Sequence, residues 1–241
     1  MSDSTSVLEH AVVSQAEWVE ARKAHMKREK ELTRLRDELS AERRGLPWLE
    51  IDKDYLFTDA SGSFTLPELF QGRSQLIVYH FMFGPDWEEG CPSCSFWADN
   101  FDGIPLHLAQ RDTTFVAVSR ARVDQLEAYA KRLGWSFPWY SSTECDFNFD
   151  MGVSFVPVEG EEPEPNYNFG TKSFAGDEAP GVSVFYRDND ARVFLTYQTF
   201  SRGLDTLNGA YHYLDLTPKG RDEDDLSWPM AWLSRHDTYS D

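Results

Sequence analysis

The chain has 241 residues, which is long enough to bury a hydrophobic core in one or two domains. Hydrophobic residues make up 41% of it and aromatic residues 15%, a composition typical of globular proteins and not of disordered ones. The formal net charge of −18 argues against nucleic acid and anionic membrane surfaces as partners.

The chain start and the cysteine count bear on the compartment. Residues 1–13, expected to form a flexible tail, lack the basic start and continuous apolar stretch of a signal peptide. No run of the sequence approaches the roughly 20 apolar residues of a membrane helix. We therefore expect a cytoplasmic protein with no membrane partner. Three cysteines are too few and oddly numbered for a disulfide scaffold, so a close pair of them favours a catalytic or metal-binding role.

The first predicted element is a long helix over residues 14–45. Ser14 and Glu17 form a capping-box pattern at its start, and Gly45 is typical of a helix end. Its apolar stripe recurs every seven residues, at Trp18, His25, Leu32 and Leu39. This narrow stripe can pack along the rest of the chain, which we favour, or against a second copy in a homodimer.

Short strands follow, and the strongest functional signal comes directly after one of them. Trp48–Ile51 and Tyr55–Thr58 are the first two predicted strands, and the apolar run Leu76–Phe81 has the composition of a buried central strand. Glycines and a proline then break the chain, and the sequence Cys-Pro-Ser-Cys opens a helix at Cys91. A strand, a turn and a helix that begins with Cys-x-x-Cys are the layout of a dithiol redox site.

The rest of the chain alternates between strands and helices, which predicts an α/β protein with mixed strand directions. Glutamates interleaved with prolines predict an acidic surface insertion at about residues 157–166. We expect the apolar tail Trp228–His236 to dock on the domain. The other predicted elements, in chain order, are a helical piece over Phe101–Gln110, a strand at Thr114–Ser119, a helix at Val123–Leu133, a strand starting at Phe137–Tyr140, a hairpin of Pro180–Arg187 with Val193–Tyr197, and a helix at Leu204–Leu214.

These elements and several local segments carry a resemblance to a known family. The element order resembles the thioredoxin fold, and segments Phe57–Leu69 and Phe115–Arg120 resemble its peroxiredoxin branch. The chain is more narrowly similar to an uncharacterised, mostly prokaryotic family called domain of unknown function 899, which carries the label of a predicted dithiol–disulfide oxidoreductase. The segments that carry this similarity are Gly90–Trp97, Gly181–Tyr186, Tyr211–Pro218 and Trp228–Trp232.

The resemblance spans residues from about 14 to 236 and implies both a fold and a site. The implied fold is a thioredoxin-like domain over residues 46–241, in a peroxiredoxin-like variant with a mixed central sheet flanked by helices. Cys91 would be the attacking thiol and Cys94 the resolving one. The chemistry agrees, because a helix N-terminus stabilises a thiolate and a spacing of three places Cys94 one turn behind Cys91.

The charged residues near the two cysteines predict opposing effects on the pKa of Cys91. Asp86, Glu88 and Glu89 precede Cys91 in sequence, and their charges would raise its pKa if they also lie close in space. We expect Arg120 to offset these charges, since it follows a strand whose carboxyl end lies on the same side of a parallel sheet.

Four further predictions concern Pro180, Trp87, Cys145 and metal binding. Pro180 resembles the cis-proline that faces the active-site disulfide in thioredoxin folds, with a trans proline at a strand start as the alternative. Trp87 either supports the substrate or packs in the core. Cys145 is expected to be a bystander. No metal and no other cofactor is expected, because a zinc site needs about four ligands and the sequence has no second Cys-x-x-Cys or close histidine pair.

Three functions remain open at this point. The first is a thiol–disulfide oxidoreductase that acts on a protein or small-molecule thiol or disulfide. The second is a thiol peroxidase of the peroxiredoxin type, although the threonine of the peroxiredoxin Pro-x-x-x-Thr-x-x-Cys pattern is replaced by Glu88 relative to Cys91. The third is a non-enzymatic binding module that uses the long helix and the acidic insertion as partner surfaces.

Overall fold

The computed structural model describes residues 10–156, 166–174 and 176–239. The acidic insertion predicted at about residues 157–166 therefore lies almost entirely outside the described residues. The helices in the described part are α1 (Gln15–Arg44), α2 (Leu66–Leu69), α3 (Pro92–Ala98), α4 (Ile104–Ala109), α5 (Val123–Leu133), α6 (Phe147–Asp150) and α7 (Gly209–Leu214), with a 3-10 helix at Ser201–Leu207.

Eight strands in the described residues form one mixed sheet. In chain order they are β1 (Leu49–Ile51), β2 (Leu56–Asp59), β3 (Gly62–Thr65), β4 (Gln75–His80), β5 (Thr113–Ser119), β6 (Trp139–Ser141), β7 (Gly181–Arg187) and β8 (Val193–Phe200). Their order across the sheet is β1-β8-β7-β4-β5-β6-β2-β3. The central strand β4 pairs in parallel with β5 and antiparallel with β7, and β7 pairs antiparallel with β8.

This topology confirms the predicted thioredoxin-like fold in its peroxiredoxin-like variant. The segment from β4 through α3 and α4 to β5 is a parallel crossover unit, and the antiparallel β7–β8 hairpin lies on the other side of β4 before α7. Strands β6, β2 and β3 extend the sheet beyond β5, and β1 extends it beyond β8. The helix that carries both cysteines thus starts beyond the carboxyl end of the most central strand.

The alternation of side chains along β4 divides the interior into two cores. Tyr79 faces the core that contains α3 and α5, whereas Val78 and Leu76 face the opposite core around Phe147. Both faces of β4 are covered, which explains why its sequence is a continuous apolar run rather than an alternating one. Phe147 belongs to α6, a short helix that the sequence did not predict.

Helix α1 has the predicted bounds but not the favoured packing. Ser14 and Glu17 form the predicted capping box, and none of the helix residues is buried. Its contact with the sheet domain includes Arg43, whose guanidinium carbon lies 4.6 Å from the centre of the Tyr197 ring. The expectation that α1 packs its apolar stripe along the rest of the chain is therefore wrong, because Trp18 and the leucines of the stripe face solvent.

No helix within the described residues combines the length and the apolar character that crossing a membrane requires.

Candidate active site

The two cysteines lie where the central strand passes into α3. Cys91 is the residue that caps α3, with Pro92 in its first turn, where the missing N–H of proline costs no hydrogen bond. The backbone N–H of Cys91 donates to the carbonyl oxygen of Met82 at 3.0 Å. The N–H of Met82 in turn donates to the Sγ atom of Cys94 at 3.4 Å. The strand end therefore holds both cysteines in place.

The two thiols differ in exposure and in acidity. Both are free, and they are 4.2 Å apart. Cys91 is half-buried, and hydrogen bonding to Cys94 together with backbone N–H groups at the helix start lowers its pKa to about 7, against the opposing effect of burial. Cys94 is buried, and burial and the nearby Cys91 raise its pKa well above the usual value. Near neutral pH the sulfur of Cys91 is therefore partly a thiolate, and the sulfur of Cys94 is protonated.

Of the acidic residues before Cys91, Glu89 is neutralised by two arginines that the sequence did not single out. Glu89 forms ion pairs with Arg132 and with Arg235, the latter at 2.8 Å from Nη1 to Oε2. Asp86 and Glu88 are exposed to solvent. The expected rise in the pKa of Cys91 does not occur, because the carboxylate of Glu89 is paired and the carboxylates of Asp86 and Glu88 are hydrated.

Arg235 also fixes the backbone beside Cys91. Its Nη2 donates to the carbonyl oxygen of Gly90 at 2.7 Å, and its Nε donates to the hydroxyl of Tyr129 at 2.6 Å. The Tyr129 hydroxyl lies 3.0 Å from the hydroxyl of Ser95, which donates to the carbonyl oxygen of Cys91 at 2.9 Å. The docking of the tail Trp228–His236 was predicted, but its role at the site was not. The available signal was a single arginine in an aromatic and apolar tail.

The expectation for Arg120 is wrong. Its guanidinium donates from Nη1 to Oε1 of Glu178 at 2.9 Å, and it lies over the ring of Phe149. Glu178 is buried, and it also accepts a hydrogen bond from Ser154 at 2.7 Å. Burial raises the pKa of Glu178 to about 7 in spite of these partners. Arg120 therefore supports the backbone just before Pro180 and does not compensate the charges near Cys91.

Pro180 lies beside the site, but its peptide bond is not cis. No cis peptide bond occurs among the described residues, so the bond between Ala179 and Pro180 is trans. Pro180 precedes β7, and the hydroxyl of Tyr167 donates to its carbonyl oxygen at 2.5 Å. Tyr167 also accepts a hydrogen bond from the backbone N–H of Ser201 at 2.9 Å, which links the segment before β7 to the start of the 3-10 helix.

Trp87 is partly buried and packs against the core. Its ring lies against Gly84, where a Cβ atom would approach the indole to 2.9 Å, and against the cluster that contains Cys94. The amide of Gln125 donates to its carbonyl oxygen at 3.0 Å. Of the two readings of Trp87, the structure favours packing over contact with a substrate.

An apolar cavity opens next to Cys94. Its volume is about 260 Å³, and its walls come from the strand end, α3, the segment before β7 and the C-terminal segment. Cys94 and Pro180 line it together with Tyr79, Trp97, Tyr167 and Tyr211. Burial and the adjacent Cys94 raise the pKa of Tyr79 well above its usual value, so its hydroxyl stays protonated.

The described residues offer no evident place for a metal. Within residues 10–156, 166–174 and 176–239, no three His, Cys, Asp or Glu side chains are grouped so that they could hold an ion. Cys145, the third cysteine, lies in the opposite core from Cys94.

Comparison with solved structures gives distant likenesses. The peroxidoxin BcpB from Mycobacterium tuberculosis is 15% identical, with a TM-score of 0.45 over 64% of this chain and 89% of that one. A peroxiredoxin Q from Xanthomonas campestris is 15% identical, with a TM-score of 0.40 over 70% of this chain and 91% of that one. Likeness at this level carries no information about activity.

Comparison of the sequence gives one family. No curated protein sequence matches the chain. The model of a family described as "Bacterial protein of unknown function (DUF899)" matches residues 7–239, nearly the whole length, including both cysteines and the docked tail. The chain therefore belongs to the DUF899 family.

Proposed function

We propose that the protein is a thiol–disulfide oxidoreductase in which Cys91 attacks the substrate and Cys94 resolves the mixed disulfide. The observation that carries this proposal is the asymmetry of the two thiols. Cys91 is half-buried with a lowered pKa, whereas Cys94 is buried one helical turn behind it with a raised pKa. This division suits an attacking thiolate and a resolving thiol that must stay protonated until its turn.

The proposed reaction has two steps. The Cys91 thiolate attacks one sulfur of a substrate disulfide, the substrate S–S bond breaks, and the other sulfur leaves with the electron pair and takes a proton from water. Cys94 then loses its proton and attacks Sγ of Cys91, which releases the second thiol and leaves a Cys91–Cys94 disulfide. Two electrons pass from the dithiol to the substrate, and an external dithiol reduces the pair for the next cycle.

The site favours this function over the two alternatives. A peroxidase of the peroxiredoxin type uses a threonine hydroxyl to position peroxide, and the corresponding Glu88 is exposed to solvent. A binding module has no requirement for two thiols with pKa values shifted in opposite directions at the carboxyl end of the central strand. Hydrogen peroxide consumption and the loss of function in Cys91→Ser separate these alternatives in experiment.

A redox titration against glutathione tests the proposal. We expect the wild type to form a reversible two-electron disulfide between Cys91 and Cys94, identified by mass spectrometry of the alkylated protein. Cys91→Ser and Cys94→Ser should lose the transition, and Cys145→Ser should keep it, because Cys145 lies in the other core. A wild type that never forms the disulfide would refute the proposed function.

A further inference from the structure

We infer that the cavity beside Cys94 is a specificity pocket for one uncharged aromatic group of a low-molecular-weight disulfide. This inference rests on the proposed function, since it names the class of disulfide that the Cys91–Cys94 pair reduces. Three features of the cavity support it. They are the apolar lining, the partners that its charged side chains already have within the protein, and its size.

The lining consists mainly of aromatic rings and thioether groups. Tyr79, Trp97, Tyr167 and Tyr211 are buried and line the cavity. Met82 and Met230 line it as well. Rings pack edge-to-face against other rings, and methionine sulfur makes favourable contacts with ring edges, so this wall suits a flat aromatic group.

The polar side-chain atoms of Tyr211, Trp97 and Glu223 in the lining already have partners within the protein. The hydroxyl of Tyr211 donates to Glu223 at 2.7 Å, and the indole N–H of Trp97 donates to the carbonyl oxygen of Leu204 at 2.8 Å. Glu223 also accepts from the indole N–H of Trp232 at 2.7 Å. A polar ligand group beside these three side chains would lose its water and gain few hydrogen bonds in return.

The charged groups of the lining are paired in the same way. Arg221 forms ion pairs with Asp205 at 3.0 Å and with Asp215 at 2.8 Å, and its guanidinium carbon lies 4.0 Å from the centre of the Tyr211 ring. Arg202 pairs with Asp205 at 2.9 Å and is exposed at the rim. Both arginines are therefore paired, and the remaining carboxylate of the lining, Glu223, accepts hydrogen bonds from neutral groups of Tyr211, Met230 and Trp232. A charged ligand group at the buried end of the cavity would find no free partner there.

The size of the cavity limits the group to about one ring. A cavity of roughly 150 Å³ lined by apolar side chains holds one benzene molecule. The cavity beside Cys94 has about 260 Å³, which accommodates a ring with a short linker to the reacting sulfur.

The redox step is the one proposed above, with the aromatic group bound. The ring enters the cavity and places its disulfide near the two cysteines, and the Cys91 thiolate attacks that disulfide. The substrate S–S bond breaks, and after attack by Cys94 both halves leave as thiols. The dithiol of the protein is oxidised to a disulfide, and the substrate disulfide is reduced, so electrons and protons balance without another reactant.

Binding is tested with a ligand that cannot react. Benzyl ethyl sulfide has the shape of benzyl methyl disulfide but no S–S bond, and its binding to the reduced wild type can be measured by calorimetry. Met230→Trp fills the cavity from its rim and should weaken binding about tenfold or more. Leu106→Trp adds the same ring at an exposed position of α4, 74% exposed, and should leave binding unchanged. Equal affinity for wild type and Met230→Trp would overturn the inference.

Kinetics separate this inference from the proposed function. Oxidation of the reduced protein by benzyl methyl disulfide should be faster than by bis(2-hydroxyethyl) disulfide, which is uncharged but polar, by about tenfold or more. Met230→Trp should abolish that preference. Equal rates with both reagents would overturn the pocket while leaving the oxidoreductase intact. A different result would support the pocket and refute the proposed function. In that case benzyl ethyl sulfide would bind in a way that depends on Met230, but neither disulfide reagent would produce a Cys91–Cys94 disulfide.

Discussion

Arg235 and Gly90 are 145 positions apart in the chain, yet the guanidinium of Arg235 donates to the carbonyl oxygen of Gly90 at 2.7 Å. Gly90 is the residue immediately before the proposed attacking cysteine. The same guanidinium pairs with Glu89, the nearest acidic residue in sequence. The C-terminal tail thus supplies both a backbone support and a positive charge to the site.

Replacing Arg235 should raise the pKa of Cys91. In Arg235→Met the carboxylate of Glu89 loses one of its two partners and the Gly90 carbonyl loses a donor, which makes the thiolate less favourable by roughly half to one pKa unit. The pH dependence of alkylation by iodoacetamide measures this pKa, and the wild-type rate should rise through pH 7, where the pKa of Cys91 lies at about 7.

A matched arginine controls for general charge effects. Arg192 pairs with Asp188 in the turn between β7 and β8, at the end of the sheet opposite to the cysteines. Arg192→Met should leave the alkylation profile unchanged. Identical profiles for Arg235→Met and the wild type would show that Arg235 acts on stability alone.

Removing the resolving thiol should trap an intermediate. In Cys94→Ser, the reaction of Cys91 with bis(2-hydroxyethyl) disulfide should stop at a mixed disulfide, visible as an adduct in the intact mass. The wild type should show no stable adduct, because Cys94 displaces it, and Cys91→Ser should not react at this site. An adduct on Cys94 in Cys91→Ser, with no adduct on Cys91 in Cys94→Ser, would reverse the proposed roles of the two cysteines.

The elements of the fold were predictable because their signals are local. The bounds of α5 agree with the prediction at both ends, since an apolar face with helical spacing and a terminal glycine both lie within that segment. The capping box of Thr65 and Glu68 likewise marks the start of α2, where the N–H of Thr65 donates to Glu68 at 2.6 Å. Such signals need no knowledge of the rest of the chain.

The charge partners at the site were not predictable for the opposite reason. The chain has 41 acidic and 23 basic residues, and nothing local indicates that Arg120 pairs with Glu178 rather than with the acidic residues before Cys91. The pairing of Arg235 with Glu89 becomes apparent only when the C-terminal tail is docked on the domain. The isomer of the Ala179–Pro180 peptide bond was not predictable from local sequence either, because the packing around a proline decides it. In this structure the bond is trans.

Glu178 should make stability depend on pH. Burial raises its pKa to about 7, compared with about 4.3 for glutamate in an unfolded chain. The folded state therefore binds the proton more tightly, so this contribution is full below pH 4.3 and is lost as the pH rises through about 7. The loss is on the order of 3 kcal/mol for a shift of this size.

The substitution Glu178→Gln isolates this effect, since glutamine does not titrate but can accept the hydrogen bonds from Ser154 and Arg120. Urea unfolding at pH 5 and pH 8 measures the change. The free energy of unfolding should fall more between these values in the wild type than in Glu178→Gln, and equal falls would contradict the prediction.

Deleting residues 1–44 should leave the sheet domain folded and redox-active. No residue of α1 is buried, and the contact of Arg43 with Tyr197 is of a kind worth about 1 kcal/mol or less at an exposed site. Thermal unfolding and the glutathione titration of the truncated protein should therefore match those of the full chain. A large drop in the unfolding temperature would show that α1 is part of the domain.

The same truncation tests the homodimer, which is the alternative packing for the apolar stripe of α1. The apolar stripe of α1 is exposed, with Trp18 57% and Leu32 49% accessible, and a second copy is the partner we expect to cover it. Sedimentation should give twice the chain mass for the full protein and the chain mass for the truncated one. Trp18→Glu with Leu32→Glu in the full chain should dissociate the dimer without changing the reduction potential, because both residues lie on α1 and not at the cysteines. A full chain that sediments as a monomer would refute the homodimer.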